Sequence, residues 1–190
     1  MKNYFYIGLF CFFAINPLYS QSTDEAHDLL YLESINLRQS GDIEESLKLL
    51  FSIKCCHLES LYTIAEIYLN EVKNPNIALD YYRKTMETAL NHFDILINEV
   101  DDTVSYIEDD YLLCNICHSP KNLYRKSLFM EAYIYSNYLD MYSKGNKTYQ
   151  IFIDEFPKDE LVQSVKYEME LLKEMEENKD EMLLQNFEGE

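Results

Sequence analysis

Hydrophobic residues recur every three or four positions along most of the chain after residue 21, and this spacing predicts amphipathic α-helices. The pattern is clearest in residues 127–157, where two apolar stripes are separated by the polar run 143–146. We expect that run to contain the turn, with Gly145 either in it or just inside the second helix. Pro157 ends the second stripe, because proline disrupts a helix interior. Since the whole chain has only four glycines and four prolines, an all-α fold is expected.

Small residues occur at matching places in three successive pairs of predicted helices. Their separation is twelve residues in the first pair and thirteen in the next two. The residues are Ser34 with Ser46, Ala65 with Ala78, and Ala132 with Gly145. We interpret them as points where paired helices cross too closely to admit a larger side chain. The shared thirteen-residue separation indicates internal repetition.

In the last pair, Tyr149 and Phe152 follow Gly145 by four and seven residues, and Pro157 follows by twelve. Small residues, aromatics and a closing proline in this arrangement resemble the tetratricopeptide repeat (TPR) family, of the kind common in bacterial cell-envelope TPR proteins. The resemblance implies a right-handed TPR-like α-solenoid of about three helix-turn-helix repeats plus a C-terminal capping helix. An irregular helical bundle without repeats is the alternative.

The boundaries expected from this resemblance divide the chain into three parts. Residues 1–20 form a signal peptide, 21–176 the helical domain and 177–190 an acidic flexible tail. Within the domain, the repeats are expected at about 24–54, 58–90 and 124–157, and the cap at about 159–176.

The first twenty residues read as a secretory signal peptide. Lys2 supplies a short positive region, residues 4–15 form an apolar run, and 18–20 offer an acceptable cleavage site. Secretion across the inner membrane, a periplasmic location and no stable membrane anchor after cleavage are therefore expected, with a retained anchor as the alternative. Phe10 stands before Cys11 where lipid attachment needs a small residue, which argues against a lipoprotein.

The chain is strongly acidic, and its charge narrows the class of partner. The formal net charge is −18; removing residues 1–20 removes Lys2, so 15 basic and 34 acidic residues leave −19. Such a chain repels phosphate backbones, so we expect no nucleic-acid partner. Neither composition nor periodicity determines the oligomeric state.

The TPR resemblance also implies a concave groove lined by the first helix of each repeat. Side chains one turn apart would face it: Tyr31, Ile35 and Arg38; Tyr62, Glu66 and Asn70; and Phe129, Tyr133 and Asn137. Aromatic rings supply contact area and amides fix backbone register, so this set suits a protein or peptide partner. The implied function is a non-catalytic binding scaffold of the bacterial cell envelope, in envelope assembly or coordination. Partial burial of these residues as packing groups is the alternative reading.

A second function is indicated by Cys114, Cys117 and His118, which match the Cys-x-x-Cys-His sequence of c-type haem attachment. The chain would then be a small electron-transfer protein carrying haem c, whereas the scaffold needs no cofactor. The neighbouring residues are acidic, and the sequence identifies no second axial ligand for the iron. Both points argue against haem.

The four cysteines after the signal segment are also disulfide candidates: Cys55, Cys56, Cys114 and Cys117. They are expected in turns on the same edge of a solenoid, and an oxidising compartment favours a disulfide there. With His57 and His118 they could instead bind zinc. Zinc requires its ligands to lie closer together than one repeat spacing would bring these side chains, so no metal is expected. No catalytic motif occurs, so the protein is not expected to be an enzyme.

Overall fold

The computed structural model describes residues 17–55, 57–98 and 119–187, with side chains for 25–55, 57–91 and 119–178. These residues form seven α-helices and contain no β-strand, which confirms the all-α prediction for this part of the chain. The helices are α1 (Pro17–Ser40), α2 (Ile43–Ile53), α3 (Leu58–Asn70), α4 (Pro75–Asn98), α5 (Pro120–Asn137), α6 (Tyr142–Glu155) and α7 (Val162–Phe187).

The two ends of the helical array differ from the expected boundaries. Helix α1 begins at Pro17, within the expected signal peptide, and α7 continues past residue 176 to Phe187. Residues 1–16, which carry most of the expected signal peptide, lie outside the described residues. Among the residues that are described, none of the helices has the length and apolarity needed to cross a membrane.

The helices pack in chain order, and some helices two apart in the chain also meet. Each helix contacts the next, and α3 contacts α5 as well. On the other side, rings of Phe51 in α2 and Tyr81 in α4 lie 6.1 Å apart, and Met86 of α4 packs against the cluster that contains Phe152 of α6. Val165 of α7 packs in the same cluster as Leu128 of α5. The odd-numbered helices therefore form one layer and the even-numbered helices another, an arrangement compatible with an α-solenoid.

The small residues predicted at helix crossings are buried within the helix pairs. Ser34, Ser46, Ala65, Ala78 and Ala132 have 0% exposed surface, and Gly145 is buried as well. Ala65 and Ala78 share one core cluster, as the α3–α4 crossing requires.

Gly145 shows how close one of these crossings is. A Cβ added there would meet the Oγ of Ser136 and lie 3.3 Å from the carbonyl oxygen of Ala132. Glycine is thus required at this position by the approach of α5 to α6 and not by its backbone conformation.

The residues four and seven positions after each second small residue form the core of each even-numbered helix. They are at most 1% exposed: Leu50 and Ile53, Tyr82 and Thr85, and Tyr149 and Phe152. The recurrence of one burial pattern in α2, α4 and α6 supports internal repetition.

The turn inside each helix pair also repeats. Gly41, Lys73 and Asp140 have φ angles of 91°, 59° and 51°, and each lies two residues before an even-numbered helix. The connections 71–74 and 138–141 have four residues, whereas 41–42 has two. The last two connections therefore share one design, in agreement with the shared thirteen-residue separation, although only the first uses glycine.

The turn predicted at Ser143, Lys144 and Asn146 is wrong, whereas the alternative that Gly145 lies just inside the second helix is confirmed. Helix α6 begins at Tyr142, so all four residues are helical. The chain turns at 138–141 because Asp140 adopts the left-handed conformation that aspartate tolerates better than most residues. Gly145 therefore lies at the crossing of α5 and α6 and not in the turn.

Candidate functional site

The nine residues predicted to line a groove lie on the odd-numbered helices α1, α3 and α5. They are called here the candidate binding surface: Tyr31, Ile35, Arg38, Tyr62, Glu66, Asn70, Phe129, Tyr133 and Asn137. The first two sets are in direct contact through Arg38 and Glu66. The third set lies on α5, which contacts α3.

Arg38 links the first set to the second. Its Nη1 donates to Glu66 Oε2 at 3.0 Å, and its Nε donates to Glu71 Oε1 at 2.9 Å. Burial would lower the pKa of Arg38, but the two carboxylates more than offset this and raise the pKa above its ordinary value. One guanidinium thus faces two carboxylates, and the trio carries a net negative charge. Ile35 is half-buried one turn before Arg38.

Tyr31 makes a second link between α1 and the second repeat. Its hydroxyl shares a 3.1 Å hydrogen bond with Thr63 Oγ1, and its ring stacks on His57 at a centroid distance of 4.7 Å. Burial raises the pKa of Tyr31, so the hydroxyl stays protonated at neutral pH. Together with Arg38, Tyr31 aligns α1 alongside α3.

Tyr62 lies where the second set meets α4. Its ring is edge-on to Tyr82, with centroids 5.4 Å apart. Burial raises the pKa of Tyr62 to about 12, and Glu66 adds to the shift while Arg125 opposes it. The Tyr62 hydroxyl is therefore protonated at neutral pH.

Tyr82 of α4 packs in a core cluster with residues of α3 and α5. Burial raises its pKa strongly; Tyr62, Glu66 and Tyr138 raise it further, and Arg38 lowers it. Tyr82 is only 1% exposed, as its place four residues after Ala78 in the repeat predicts, so it supports the candidate binding surface from below and is not part of it.

The third set divides between surface and core. The Tyr133 ring is edge-on to Tyr138 at 5.9 Å, and Asn137 Nδ2 donates to the Tyr133 carbonyl oxygen at 3.1 Å. Tyr138, 43% exposed, was not predicted and follows directly after α5. Its only sequence signal is an aromatic residue immediately after a helix.

Phe129 belongs to the packing of α5 against α6. Its ring centroid lies 5.8 Å from that of Tyr149 and 5.9 Å from that of Phe152. Asn70, in contrast, is exposed at the end of α3. The part of the surface available to a partner therefore extends from Arg38 and Asn70 to Asn137 and Tyr138.

His57 belongs to a buried cluster that also joins α1 to α3. Its Nε2 is 3.2 Å from Asp28 Oδ1, and its Nδ1 is 3.1 Å from Ser60 Oγ. Ser60 is fully buried, so this Ser-His-Asp contact offers no accessible nucleophile. Glu59 Oε2 lies 3.6 Å from Nδ1. Both imidazole nitrogens are engaged within the chain, and the cluster is structural.

The cysteine hypotheses fall mostly outside the described residues. Cys55 is exposed just after α2, whereas Cys56, Cys114, Cys117 and His118 are not described. Disulfide formation and haem attachment therefore stay predictions. In the described ranges, no group of three or more His, Cys, Asp or Glu side chains is placed to bind a metal ion.

No protein-family model matches the chain, and a search of curated proteins finds no significant match. The function is therefore inferred from the fold and from the candidate binding surface.

Proposed function

We propose that the chain is a TPR-like α-solenoid that binds a segment of another protein on the candidate binding surface, without catalysis, in the bacterial cell envelope. The observation that carries the proposal is the joining of the odd-numbered helices: Arg38 of α1 is ion-paired with Glu66 of α3, and α3 contacts α5, where Tyr133 packs edge-on against Tyr138. These side chains come from three helix pairs, so a segment lying along the odd-numbered helices would touch all three.

Three repeated features support the TPR-like solenoid. Small residues lie buried within each helix pair, a left-handed residue occurs two positions before each even-numbered helix, and the same core pattern follows in α2, α4 and α6. Stacked helix pairs of this kind form extended surfaces suited to elongated ligands.

The chemistry of the surface supports binding. Tyrosine rings provide contact area with little side-chain entropy to lose, and Tyr62 keeps a neutral hydroxyl because its pKa is raised to about 12. The Arg38 fork is already held by Glu66 and Glu71, so this part of the surface is ordered before a partner arrives. Preorganisation of this kind lowers the entropic cost of association.

The predicted signal peptide supports an envelope location, and the net charge of −18 favours a protein partner over nucleic acid. The envelope location is inferred from the sequence of residues 1–16, which carry most of the predicted signal peptide.

Site-specific photo-cross-linking in bacterial cells tests the proposal. A benzophenone amino acid is placed at Asn70 or Asn137, which are exposed, or at Ile151, which is 45% exposed on α6 in the other layer. We expect positions 70 and 137 to capture the same envelope protein and position 151 to capture none of it.

The capture should be lost when Tyr62→Ala and Tyr138→Ala are added together, provided that circular dichroism shows an unchanged helix content. Equal capture from position 151, or no adduct from positions 70 and 137, would contradict a partner on this surface. Fractionation of the cells checks the envelope location separately.

A further inference from the structure

Cations that lie over aromatic rings all come from the even-numbered side of the described structure. Lys54, directly after α2, is 4.8 Å from the centroid of Phe51, and Lys84 of α4 is 4.5 Å from that of Tyr81. Arg83 of α4 and Lys144 of α6 each lie 5.5 Å from the Tyr135 centroid. The chain thus supplies its own cations to Phe51, Tyr81 and Tyr135, the last of which lies on α5.

The rings of Tyr62 and Tyr133 in the candidate binding surface, and of Tyr138 next to it, lack this complement. Among the side chains that the structure describes, no lysine or arginine lies over Tyr62, Tyr133 or Tyr138. Tyr138 is 43% exposed, so a ring is accessible there to a cation from outside.

Carboxylates outnumber cations in the ion pairs of this region. Glu66 and Glu71 share the single guanidinium of Arg38, while Arg125 is paired with Asp159. Leu139, the residue after Tyr138, packs against the core cluster that contains Ala65, the residue before Glu66, so the exposed ring of Tyr138 and the carboxylate of Glu66 flank the same cluster.

We propose that the segment bound on the candidate binding surface is basic, with a lysine or arginine side chain on the ring of Tyr138 and beside Glu66. This inference rests on the proposed function and specifies its ligand chemistry. An aromatic face attracts a cation through its quadrupole, and an adjacent carboxylate adds a direct charge interaction. The net charge of −18 also raises the encounter rate with a positively charged partner.

Fluorescence anisotropy with labelled peptides tests the inference on the purified full chain. The probe is a short flexible peptide with several lysines, compared with versions in which every lysine is replaced by glutamine or by glutamate. We expect only the lysine peptide to bind, with an affinity that falls as salt is added, because exposed charges are screened.

Two pairs of variants separate a specific contact from general attraction. Tyr138→Leu removes the ring and should weaken binding about two- to five-fold, whereas Tyr138→Phe keeps it and should bind as the wild type does. Glu66→Gln should weaken binding by a similar factor, about two- to five-fold. Glu87→Gln makes the same charge change at an exposed position of α4 and should leave the affinity unchanged.

The outcomes distinguish this inference from the proposed function. If the glutamine peptide binds as tightly as the lysine peptide and Tyr138→Leu weakens both, the basic partner is wrong while the binding surface stands. If Glu87→Gln weakens binding as much as Glu66→Gln, the attraction is general and the inference is overturned. If no peptide binds although cross-linking from Asn70 and Asn137 succeeds, the inference is likewise overturned, and the partner is recognised by other chemistry.

Discussion

Ser46 in α2 donates a 2.8 Å hydrogen bond from its Oγ to the main-chain carbonyl oxygen of Ser34 in α1. Both residues are fully buried, so the bond joins two helices where small side chains let their backbones approach. The equivalent places in the next pairs hold alanine or glycine, and there the approach depends on packing alone.

The hydroxyl of Ser46 should therefore contribute to stability. We expect Ser46→Ala to lower the free energy of unfolding by about 1 kcal/mol, because an interhelical hydrogen bond is lost in a buried place. Ser52 offers a matched control, since its exposed hydroxyl bonds only within α2, to the Leu49 carbonyl oxygen. Urea unfolding followed by circular dichroism measures both, and equal effects would contradict a special role for the crossing.

The crossing of α5 and α6 should resist a single added methyl group. Gly145→Ala places a Cβ against Ser136 and 3.3 Å from the carbonyl oxygen of Ala132, so we expect a loss of about 1–3 kcal/mol in unfolding free energy from overpacking. This exceeds the roughly 1 kcal/mol that alanine gains over glycine in helix propensity.

Removing the obstructing hydroxyl should restore part of that loss. The double variant Gly145→Ala with Ser136→Ala is expected to be more stable than Gly145→Ala alone, as a double-mutant cycle by urea unfolding can show. A stabilised Gly145→Ala protein would mean that the two helices are not in close contact.

Substitutions at the repeated left-handed turn position should act in opposite directions. Gly41→Ala forces a side chain into a conformation with φ of 91°, and we expect a loss of about 1 kcal/mol. Lys73→Gly relieves the same strain at φ of 59° and should be neutral or stabilising by up to about 1 kcal/mol; the greater freedom of glycine in the unfolded chain opposes this gain and keeps it small. Thermal unfolding of the two variants measures this, and destabilisation by Lys73→Gly would show that the lysine side chain matters more than its backbone.

The link between α1 and α3 should depend on charge balance. Arg38→Gln leaves Glu66 and Glu71 without their shared cation, and we expect a loss of about 1 kcal/mol, kept small by solvent screening. Adding Glu66→Gln should recover part of it, because one unpaired carboxylate is removed. Lys48→Gln, which breaks only the exposed pairs with Glu44 and Glu45, should have no measurable effect. A double-mutant cycle that shows no coupling energy between positions 38 and 66 would contradict the ion pair of Arg38 with Glu66.

Buried tyrosines should make the fold sensitive to alkali. The pKa values of Tyr62 and Tyr124 are raised to about 12 by burial, whereas the unfolded chain releases these protons near the ordinary value of 10.0. The folded state therefore binds more protons than the unfolded state between these values, and stability falls as pH rises through that window. Below it, both states are protonated and these groups cause no change.

Tyrosinate absorbance during a pH titration measures this, together with urea unfolding at each pH. Tyr62→Phe should remove one late-titrating group and flatten the loss of stability above pH 10. An unchanged titration curve in that variant would show that Tyr62 titrates as an exposed residue.

The helices and their crossings follow from local features that can be read along the chain. Apolar residues at helical spacing can be buried only on one face, so the stripes around Leu50 and Phe152 identify helices whatever their partners are. Small residues at a fixed separation mark close contacts, as Gly145 shows. Asn74 and Pro75 likewise predict the start of α4, where Asn74 Oδ1 accepts a hydrogen bond from the Ile77 amide at 3.2 Å.

The candidate binding surface was only partly predictable, because helix periodicity gives the direction of a side chain but not its neighbours. Phe129 has the spacing of a surface residue, yet α6 and α7 pack over that side of α5. Tyr138 has no place in the repeat pattern, yet its exposed ring packs edge-on against Tyr133.

The amino-acid sequence by itself determined the helical class and the small-residue crossings, because both depend on patterns within a few turns of the chain. The tertiary structure decided where the third pair turns, and which side chains pack beside Tyr62 and Phe129. The reason is that left-handed backbone at Asp140, and contacts between residues far apart in the chain, are selected only by the packing of whole helices.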